Sequence, residues 1–403
     1  MAHIDESGNV ADQSRKACGA DWAGAVPQPT HPVDVTVVVP CYNAERFLDQ
    51  CLAGILDNDS ARLEVIVVND GSKDGSLSIM RTFEHEDARV HVIDKPNGGY
   101  GMGVNAGLAN AHGAYVAIVE PDDYVRPHFY DETLAYAQTF DRLPDVVKTP
   151  YTRVYMPGTP QEHLFHCAYY DRIHPARQPF TLQDAPRLIQ HHPSIWSALY
   201  KKSFLDEFGI RFLELPGAGW VDNPFLIQTL CHARSIVFYN KEFYCYREDL
   251  PGSSSKLMAS SLPLERWHQM TDILDELDVH DEGIRATHIF RGFKYLGGIM
   301  TEAKISGGPA EGLMCKMFER MESDLVLGSP LLSNANKKLF CQVRGIEGAK
   351  WNHLAYFGTL AKEFAYSIRT NGLGFATSRV SVFFARRSQM AENDPTKTAA
   401  AGI

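Results

Sequence analysis

Apolar runs of strand length alternate with amphipathic helical segments through the first 150 residues of this 403-residue chain. The predicted strands are short and continuously apolar, as in strands covered on both faces, and they lie at 33–40, 63–70, 89–93, 114–120 and 144–150. The predicted helices between them cover 44–56, 74–84 and 103–111. This alternation predicts an α/β fold with a doubly wound, mostly parallel sheet and helices on both faces.

The pattern changes after residue 150, where aromatic residues and prolines become frequent, and it changes again at about 262, where helices with loops predominate. The sequence therefore predicts a sheet domain followed by a helical C-terminal extension. The predicted segments are a flexible leader (1–33), a sheet domain (34–255, in two parts that meet at 150/151), a helical C-terminal region (256–388) and a flexible tail (389–403).

Charge, cysteine spacing and hydropathy restrict the class of protein. The formal net charge of −10 argues against a nucleic-acid binder that works through bulk positive charge. The eight cysteines form no CxxC pair, which favours reduced thiols in a cytoplasmic protein. The leader has no signal-peptide pattern, and no apolar run approaches the ~20 residues of a membrane span. We expect a cytoplasmic protein that is soluble or peripheral at the inner face of the cell membrane.

Three carboxylates crowd the end of the fourth predicted strand, in the stretch VAIVEPDDYV (116–125). Ligands of doubly wound sheets bind beyond the carboxyl ends of the strands, so Glu120, Asp122 and Asp123 are expected on the ligand side. A solvated turn would explain one isolated Asp-Asp pair. Several clustered carboxylates repel one another unless a cation neutralises them, and oxygen-only ligands suit Mg²⁺ or Mn²⁺ together with phosphate oxygens. The cluster predicts a metal–diphosphate site.

Two common phosphate-binding motifs are missing from the sequence. The first predicted strand is followed by PCYNAERF, which has no glycine, whereas a dinucleotide-binding fingerprint would begin there. The glycine-rich stretch NGGYGMGVNAG (97–107) follows the third strand and does not fit GxGxxG. No GxxxxGK[ST] motif occurs either. A dinucleotide-binding enzyme and a P-loop enzyme are therefore both disfavoured.

Four segments occur in an order and at a spacing that resemble the family 2 glycosyltransferases: TVVVPCYNAERFL, EVIVVNDGSKDGS, KPNGGYGMGVNAGL and YVAIVEPDDYV. Each motif alone is weak evidence for the resemblance, and the four motifs in this order are strong evidence for it. The resemblance covers roughly 34–250. It implies the GT-A fold and an inverting transfer of a sugar from a nucleoside diphosphate sugar to an acceptor.

The resemblance assigns roles to residues on the donor side. Asp70 is similar to the acid that meets the base, and a carboxylate can accept a hydrogen bond from uracil N3–H, which favours uridine diphosphate donors. An Asx-turn role in the NDGS segment is the alternative for Asp70, and the two roles can coexist. Asp122 resembles the metal-linked aspartate of the family's DxD motif, and Asp123 is expected near ribose or the donor sugar. The remaining expected substrate-binding residues on the donor side are Pro40, Tyr42, Asn43, Glu45 and Asn97.

The chain departs from the family pattern on the donor side. Glu120 stands where the family usually has Asp, so we expect it to assist the metal, through water, rather than to bind it directly. The segment GVN (103–105) replaces the usual ARN, and with it a basic contact to the donor.

The segment PSIWSALYKKSFLDEFGIRFLELPGAGWVDNPF (193–225) resembles the acceptor side of the family. That side usually ends in Glu-Asp, with Asp as the general base, and here Val221 precedes Asp222. The alternative for Asp222 is an N-cap before Pro224. Arg247 and the serines of YCYREDLPGSSSK (244–256) are expected to hold the diphosphate or the acceptor. Trp196 is either a platform for a sugar or a core residue.

We therefore predict an inverting, metal-dependent glycosyltransferase that uses a nucleotide-sugar donor, and a glycan or lipid-linked acceptor in surface polysaccharide or glycolipid assembly. Two alternatives stay open. A nucleotidyltransferase would use nucleoside triphosphates and would not need Asp222. A degenerate relative that binds nucleotide sugars without transfer is suggested by Glu120 and Val221.

The C-terminal region has its own charge pattern. Residues 337–388 hold nine basic residues and two acidic ones, in an otherwise acidic chain. Apolar residues between Trp351 and Ile368 recur at helical spacing. One hypothesis is a helix that packs on the protein with a solvated basic face, and the other is an interfacial helix on an anionic membrane surface.

Overall fold

The computed structural model describes residues 26–58, 61–248, 250, 261–302 and 309–392. The described chain forms two compact units. The first consists of residues up to 149 together with 195–221 and 243–245, and the second consists of 150–194, 222–242 and the residues from 246 onward. The predicted domain limits stay a prediction. Most of the predicted leader and tail, and the predicted serine run at 253–255, lie outside the described residues.

Five strands of the described residues begin and end close to the predicted limits, and the sequence analysis predicted no limits for the others. The strands are β1 (Val35–Cys41), β2 (Leu63–Asp70), β3 (Val90–Lys95), β4 (Tyr115–Ile118), β5 (Tyr124–Val125), β6 (Val146–Lys148), β7 (Tyr151–Tyr155), β8 (His163–His166), β9 (Ala198–Lys201), β10 (Ile236–Phe238) and β11 (Tyr244–Arg247). The α-helices are α1 (Glu45–Leu56), α2 (Ser76–Glu86), α3 (Tyr100–Asn110), α4 (Phe129–Ala137), α5 (Lys202–Glu207), α6 (Asp222–His232), α7 (Leu262–Glu276), α8 (Glu282–Glu302), α9 (Pro309–Glu319), α10 (Ser323–Gly328), α11 (Asn334–Arg344) and α12 (Ala355–Glu392).

A sheet with strands in the order β3-β2-β1-β4-β9-β6 organises the first unit. The first four of these are parallel to their neighbours, and β9 runs antiparallel between β4 and β6. This confirms the predicted α/β class with a mostly parallel sheet. Because parallel strands end at one edge of a sheet, the segments after β1, β2, β3 and β4 lie on the same side of it.

The central strands are mostly apolar because both of their faces are covered. Every residue of β1 and of β2 is buried. Ile66 and Val68 of β2 form one core cluster with Ile93 and with Ala106 of α3. Burial on both faces explains why the sequence shows apolar runs in these strands instead of alternating apolar and polar residues.

The glycine-rich stretch after β3 allows a close approach of backbone. Gly99 has φ +92°, and a Cβ at this residue would meet the carbonyl oxygen of Leu215. A Cβ on Gly101, inside α3, would lie 2.0 Å from the carbonyl oxygen of Leu213. These glycines thus let α3 lie against the segment 212–217. Their role is one of packing, which agrees with the absence of a phosphate-binding fingerprint in this stretch.

The second unit is mainly helical around a hairpin of β7 and β8. Trp267 of α7 is buried, stacks on His288 of α8 with ring centroids 4.7 Å apart, and donates a hydrogen bond to its carbonyl oxygen. α12 packs on α8 and on β8, and its helical geometry is interrupted at Gly372. The predicted helical C-terminal region is confirmed.

Two further sequence expectations concern the chemistry of the whole chain. The seven cysteines of the described residues are free thiols, and five of them are buried. No helix in the described part of the chain is long and apolar enough to cross a membrane.

Replacement of Gly101 tests the close approach of α3. We expect Gly101→Ala to lower the free energy of unfolding by about 2 kcal/mol or more, because the added methyl group collides with a backbone carbonyl that cannot swing away. Gly312→Ala in α9 is the matched control, since no atom lies within 4 Å of its Cβ position. The control should be neutral, or stabilising by up to about 1 kcal/mol. Equal unfolding midpoints in urea for the two variants would contradict the interpretation.

Candidate functional site

The loops after β1 and β2 hold each other through predicted site residues. Asn43 accepts a hydrogen bond from the backbone N–H of Lys73 (2.8 Å), and its own N–H donates to Ser72 Oγ (3.1 Å). Glu45 accepts from the backbone N–H of Gly75. Asn43 has φ +52°, in the left-handed region that Asn tolerates. The two loops thus form one rigid rim at the carboxyl edge of the sheet.

Two neighbours complete this rim. Pro40 is buried within β1, and Tyr42 is 48% exposed just beyond it. An aromatic ring that is exposed at the ligand edge of a sheet is available for stacking.

Asp70, the last residue of β2, connects three segments through one buried carboxylate. Its side chain is paired with Lys95, the last residue of β3. The same carboxylate accepts hydrogen bonds from the backbone N–H groups of Gly98 and Gly99, each at 2.9 Å. Asn97 donates to the carbonyl oxygen of Asp70 (2.9 Å). The structure therefore brings Asp70 and Asn97 together, as the sequence led us to expect, immediately before α3 begins.

The carboxylates after β4 have different surroundings. Glu120 accepts a hydrogen bond from the hydroxyl of Tyr100 (2.6 Å). Asp123 is only 1% exposed and accepts from the hydroxyl of Tyr244 (2.8 Å). Asp122 lies between them in a turn and is half-buried. Two of the three negative charges are thus held by tyrosine hydroxyl groups, which relieves part of their mutual repulsion.

Tyr244 is a site residue that the sequence analysis missed. Its hydroxyl accepts a hydrogen bond from the backbone N–H of Glu120 (3.1 Å) while it donates to Asp123. Burial, with the nearby Asp123 and Glu120 charges, holds the pKa of Tyr244 well above its usual range, so the hydroxyl keeps its proton. Tyr244 comes 121 residues after Asp123 in the chain, and no local sequence pattern links the two.

Trp196 packs against the same tyrosine. The indole and phenol rings are stacked with centroids 4.0 Å apart, and Trp196 is 3% exposed. This contact favours the core interpretation that the sequence left open. The Trp196 ring has too little exposed surface to serve as a platform for a sugar.

The oxygen atoms at the turn after β4 suit a hard divalent cation. Among the described residues, no three His, Cys, Asp or Glu side chains form a metal-binding group. Mg²⁺ usually takes one or two carboxylates from a protein and completes its shell with water and substrate phosphates. Asp122 supplies one carboxylate, and Glu120 is engaged by Tyr100. This supports the expected secondary role of Glu120 over direct binding.

Asp222 begins α6 in the second unit and is half-buried there. Burial raises its pKa to about 6, although the Arg291 charge and hydrogen bonds from Asn223 act in the opposite direction. The side-chain N–H of Asn223 donates to the Asp222 carboxylate (2.9 Å). A carboxylate with a pKa near 6 can accept a proton and remains ionised at neutral pH. The helix-start position also leaves the N-cap alternative in place.

A buried network of the second unit fixes the residue after Asp222. Arg291 of α8 is 1% exposed and donates to Asn223 Oδ1, to the hydroxyl of Tyr295 (2.6 Å) and to the carbonyl oxygen of Ile189 (2.9 Å). Tyr295 also donates to Asn223 Oδ1 (2.7 Å). No local pattern in the sequence indicates Arg291, because it lies far along the chain from Asp222. Arg247, the other predicted residue of this unit, is buried at the end of β11 (7% exposed).

Comparison with known proteins identifies the sheet domain. Residues 36–209 match the model of the family "Glycosyl transferase family 2". The chain is 29% identical over 246 residues to glycosyltransferase GlyA of Streptococcus pneumoniae, covering 60% of this chain and 34% of GlyA. It is 26% identical over 235 residues to the uncharacterized glycosyltransferase EpsJ of Bacillus subtilis, covering 55% of this chain and 63% of EpsJ. The chain thus spans less than two thirds of either relative.

Solved structures share the fold. The crystal structure of S. aureus TarS 1-349 in complex with UDP-GlcNAc has a TM-score of 0.62 at 20% identity, and the match covers 78% of this chain and 88% of that one. The same protein without this ligand gives 0.61. Residues 36–209 are thus similar to glycosyl transferase family 2, and the described chain shares the GT-A fold of TarS.

Proposed function

We propose that the protein is an inverting glycosyltransferase that transfers a sugar from a nucleoside diphosphate sugar to a hydroxyl group of an acceptor. The observation that carries this proposal is the carboxyl edge of the sheet. There, in the region that matches the family 2 model, Asp70 ends β2 and the Glu120–Asp123 turn follows β4, so that carboxylates lie at strand ends on either side of β1. This edge is where α/β sheets bind nucleotide ligands.

The donor is proposed to be a uridine diphosphate sugar. Asp70 already accepts three N–H groups, and a carboxylate has about four lone-pair sites. The remaining site is suited to a single N–H donor such as uracil N3–H. The UDP-GlcNAc bound by TarS, which shares the fold, supports the same class of donor. The exposed ring of Tyr42 would stack on the base, and Asn43, Glu45 and Asn97 would hold the loops around it.

The diphosphate is proposed to bind at Asp122 with Mg²⁺ or Mn²⁺. When bound, such a cation supplies charge stabilisation to the departing diphosphate. Asp122 would hold it, with Glu120 acting through water. Asp123 and Tyr244 keep the turn in place, because the buried Asp123 carboxylate is anchored by the Tyr244 hydroxyl.

Asp222 is proposed as the general base that takes the proton from the acceptor hydroxyl as it attacks the anomeric carbon. Asn223 orients this carboxylate, and Arg291 and Tyr295 in turn fix Asn223. The acceptor is proposed to be a glycan or a lipid-linked glycan in surface polysaccharide assembly, at the inner face of the cell membrane. The relatives GlyA and EpsJ, both of them glycosyltransferases by name, support the transfer of a sugar.

A thermal-shift screen of nucleotide sugars, with and without Mn²⁺, tests the proposal and identifies the donor. A hydrolysis assay with the nucleotide sugar found in this screen then distinguishes a transferase from a binder without turnover and from a nucleotidyltransferase. A transferase should release uridine diphosphate slowly with water as acceptor, and a degenerate binder should be stabilised without turnover. Stabilisation by nucleoside triphosphates alone, with release of pyrophosphate, would favour a nucleotidyltransferase.

Asp122→Asn should abolish the effect of the metal on donor binding. We expect Mn²⁺ to tighten binding of the uridine diphosphate donor at least about tenfold in wild-type protein, because the diphosphate otherwise meets several carboxylates. Glu120→Gln should retain most of this effect, and Asp141→Asn, at an exposed aspartate, should retain all of it. Calorimetry that gives equal donor affinity in Mn²⁺ and in EDTA for wild-type protein would refute the metal site.

Tyr244→Phe should weaken metal-dependent donor binding by about tenfold, because the buried Asp123 carboxylate loses its charge-assisted hydrogen bond and the turn loosens. Tyr200→Phe is the matched control. It also removes a buried hydroxyl, one that donates to the Ile195 carbonyl oxygen (2.7 Å) away from the turn. Both variants should lose comparable thermal stability, and only Tyr244→Phe should lose donor affinity in calorimetry. Equal donor affinities would show that the hydroxyl of Tyr244 is structural only.

Asp222→Asn should lower the turnover of donor hydrolysis by at least about a hundredfold and leave donor affinity within about twofold. The wild-type rate should rise with pH and level off above about pH 6, because a protonated Asp222 cannot accept a proton. Since burial disfavours the charged carboxylate, the variant should melt no lower than wild-type protein at pH 7.5. A much lower melting temperature, with full activity per folded molecule, would instead support the N-cap role.

A further inference from the structure

α12 exposes an apolar stripe although it is packed on the second unit. The stripe consists of Phe357, Ala361, Phe364 and Ile368, which recur at i, i+4, i+7 and i+11 and so share one helix face. Phe357 is 58% exposed, and Phe364 and Ile368 are each 37% exposed. Leu354, just before the helix, extends the stripe and is 75% exposed. A continuous apolar face of this kind marks an interaction site more often than chance exposure does.

The opposite face of the helix explains why the stripe points away from the second unit. The hydroxyl of Tyr366 donates to the carbonyl oxygen of Tyr170 (2.7 Å), and the Arg172 guanidinium lies over the Tyr366 ring. Arg172 also donates to Glu363 (2.9 Å), and Ser367 is buried. These contacts fix the rotation of the helix about its axis. One face of the helix thus packs on the protein, as the first hypothesis from the sequence holds, and the other face is exposed. Contact of the exposed face with a membrane stays a prediction.

The charges beside the stripe are positive. Lys362 and Arg369 each follow a stripe residue directly and are exposed on one flank of the helix. Between residues 350 and 382 there are four basic residues and one acidic residue, and the acidic one is Glu363, which is engaged by Arg172. Arg369 also contacts Asp171 at 3.2 Å. An apolar stripe flanked by basic side chains is typical of helices that lie in a lipid interface.

Two of the basic residues counted in the sequence do not belong to this surface. Lys337 is 2% exposed and donates to the carbonyl oxygen of Leu327 (2.7 Å). Arg344 donates to the carbonyl oxygen of Phe318 (2.5 Å). Both cations are used to hold α11 in the helical bundle. Removal of the chain from residue 337 onward would therefore damage the second unit, so substitutions on the stripe are the sharper test.

A second copy of the chain is a poorer occupant than an anionic lipid surface. If two stripes faced each other, Lys362 and Arg369 of one copy would approach the same cations of the other, and like charges opposed across an interface are unfavourable. Anionic headgroups attract these side chains while the Phe and Ile side chains enter the acyl boundary.

We propose that the apolar stripe of α12 docks the protein on the surface of an anionic lipid membrane. This inference rests on the proposed function only for the reason to dock, because the active site would find a lipid-linked acceptor at the membrane surface. The docking itself needs neither donor nor acceptor. It can therefore fail while transferase activity stands, and it can hold if the activity proves different.

Cosedimentation of the full-length protein with vesicles tests the proposal. Vesicles of phosphatidylcholine with phosphatidylglycerol should bind wild-type protein at low salt, and vesicles of phosphatidylcholine alone should bind it at least about tenfold more weakly. High salt should release the protein, because it screens the basic side chains. Each lysine near the surface contributes about fivefold in affinity, so Lys350→Gln with Lys362→Gln should weaken binding by about an order of magnitude.

The triple variant Phe357→Ser, Phe364→Ser and Ile368→Ser should abolish vesicle binding and keep the wild-type melting temperature, because these side chains are exposed. Leu213→Ser, at an exposed leucine of the first unit (37%), is the matched control and should bind like wild-type protein. Absence of wild-type binding to anionic vesicles at low salt overturns the proposal. So does full binding by the triple variant. A wild-type dimer that ignores vesicles and becomes a monomer in the triple variant, by light scattering, overturns it in favour of a second copy.

Discussion

One buried carboxylate organises the ligand edge of the first unit. Asp70 ends β2, pairs with Lys95 at the end of β3 and accepts the backbone N–H groups that precede α3. Because the pair is almost completely buried, loss of either partner would leave an uncompensated charge, which is among the costliest defects in a protein interior. The start of α3, its close approach to 212–217 and the loop that carries Asn97 all depend on this interaction.

The crowding of three carboxylates after β4 has a physical resolution in the fold. Asp123 is buried and bonded to Tyr244, Glu120 is bonded to Tyr100, and Asp122 stays half-exposed in the turn. Chemically similar residues thus have different tasks because their surroundings differ. Two of them are held by tyrosine hydroxyl groups, and the third is the carboxylate for which we propose contact with a cation and a diphosphate. In the second unit, the surroundings of Asp222 likewise set its properties, since Asn223 donates a hydrogen bond to it and the buried Arg291 fixes Asn223.

The C-terminal helix illustrates why amphipathic patterns are ambiguous in a sequence. Helical spacing identifies an apolar face, but it does not tell whether that face packs on the protein or remains exposed. In α12, the polar and aromatic face that contains Tyr366 and Ser367 packs inward, and the apolar face that contains Phe357 and Phe364 points outward. Packing through hydrogen bonds and an Arg–aromatic contact has displaced the arrangement that hydrophobicity alone would favour.

The sequence by itself determined the α/β class, the limits of five strands and three helices in the first 150 residues to within a few residues, and the residues that gather at the carboxyl edge, such as Asp70, Asn97 and Asp122. It could do so because strand periodicity, helix periodicity and loop motifs are local properties of the chain. Only the tertiary structure revealed Tyr244 beside Asp123, Arg291 beside Asn223, the burial of Trp196, and the outward face of α12. These depend on contacts between residues far apart in the chain, whose partners are chosen by packing and burial of charge, and no local pattern encodes that choice.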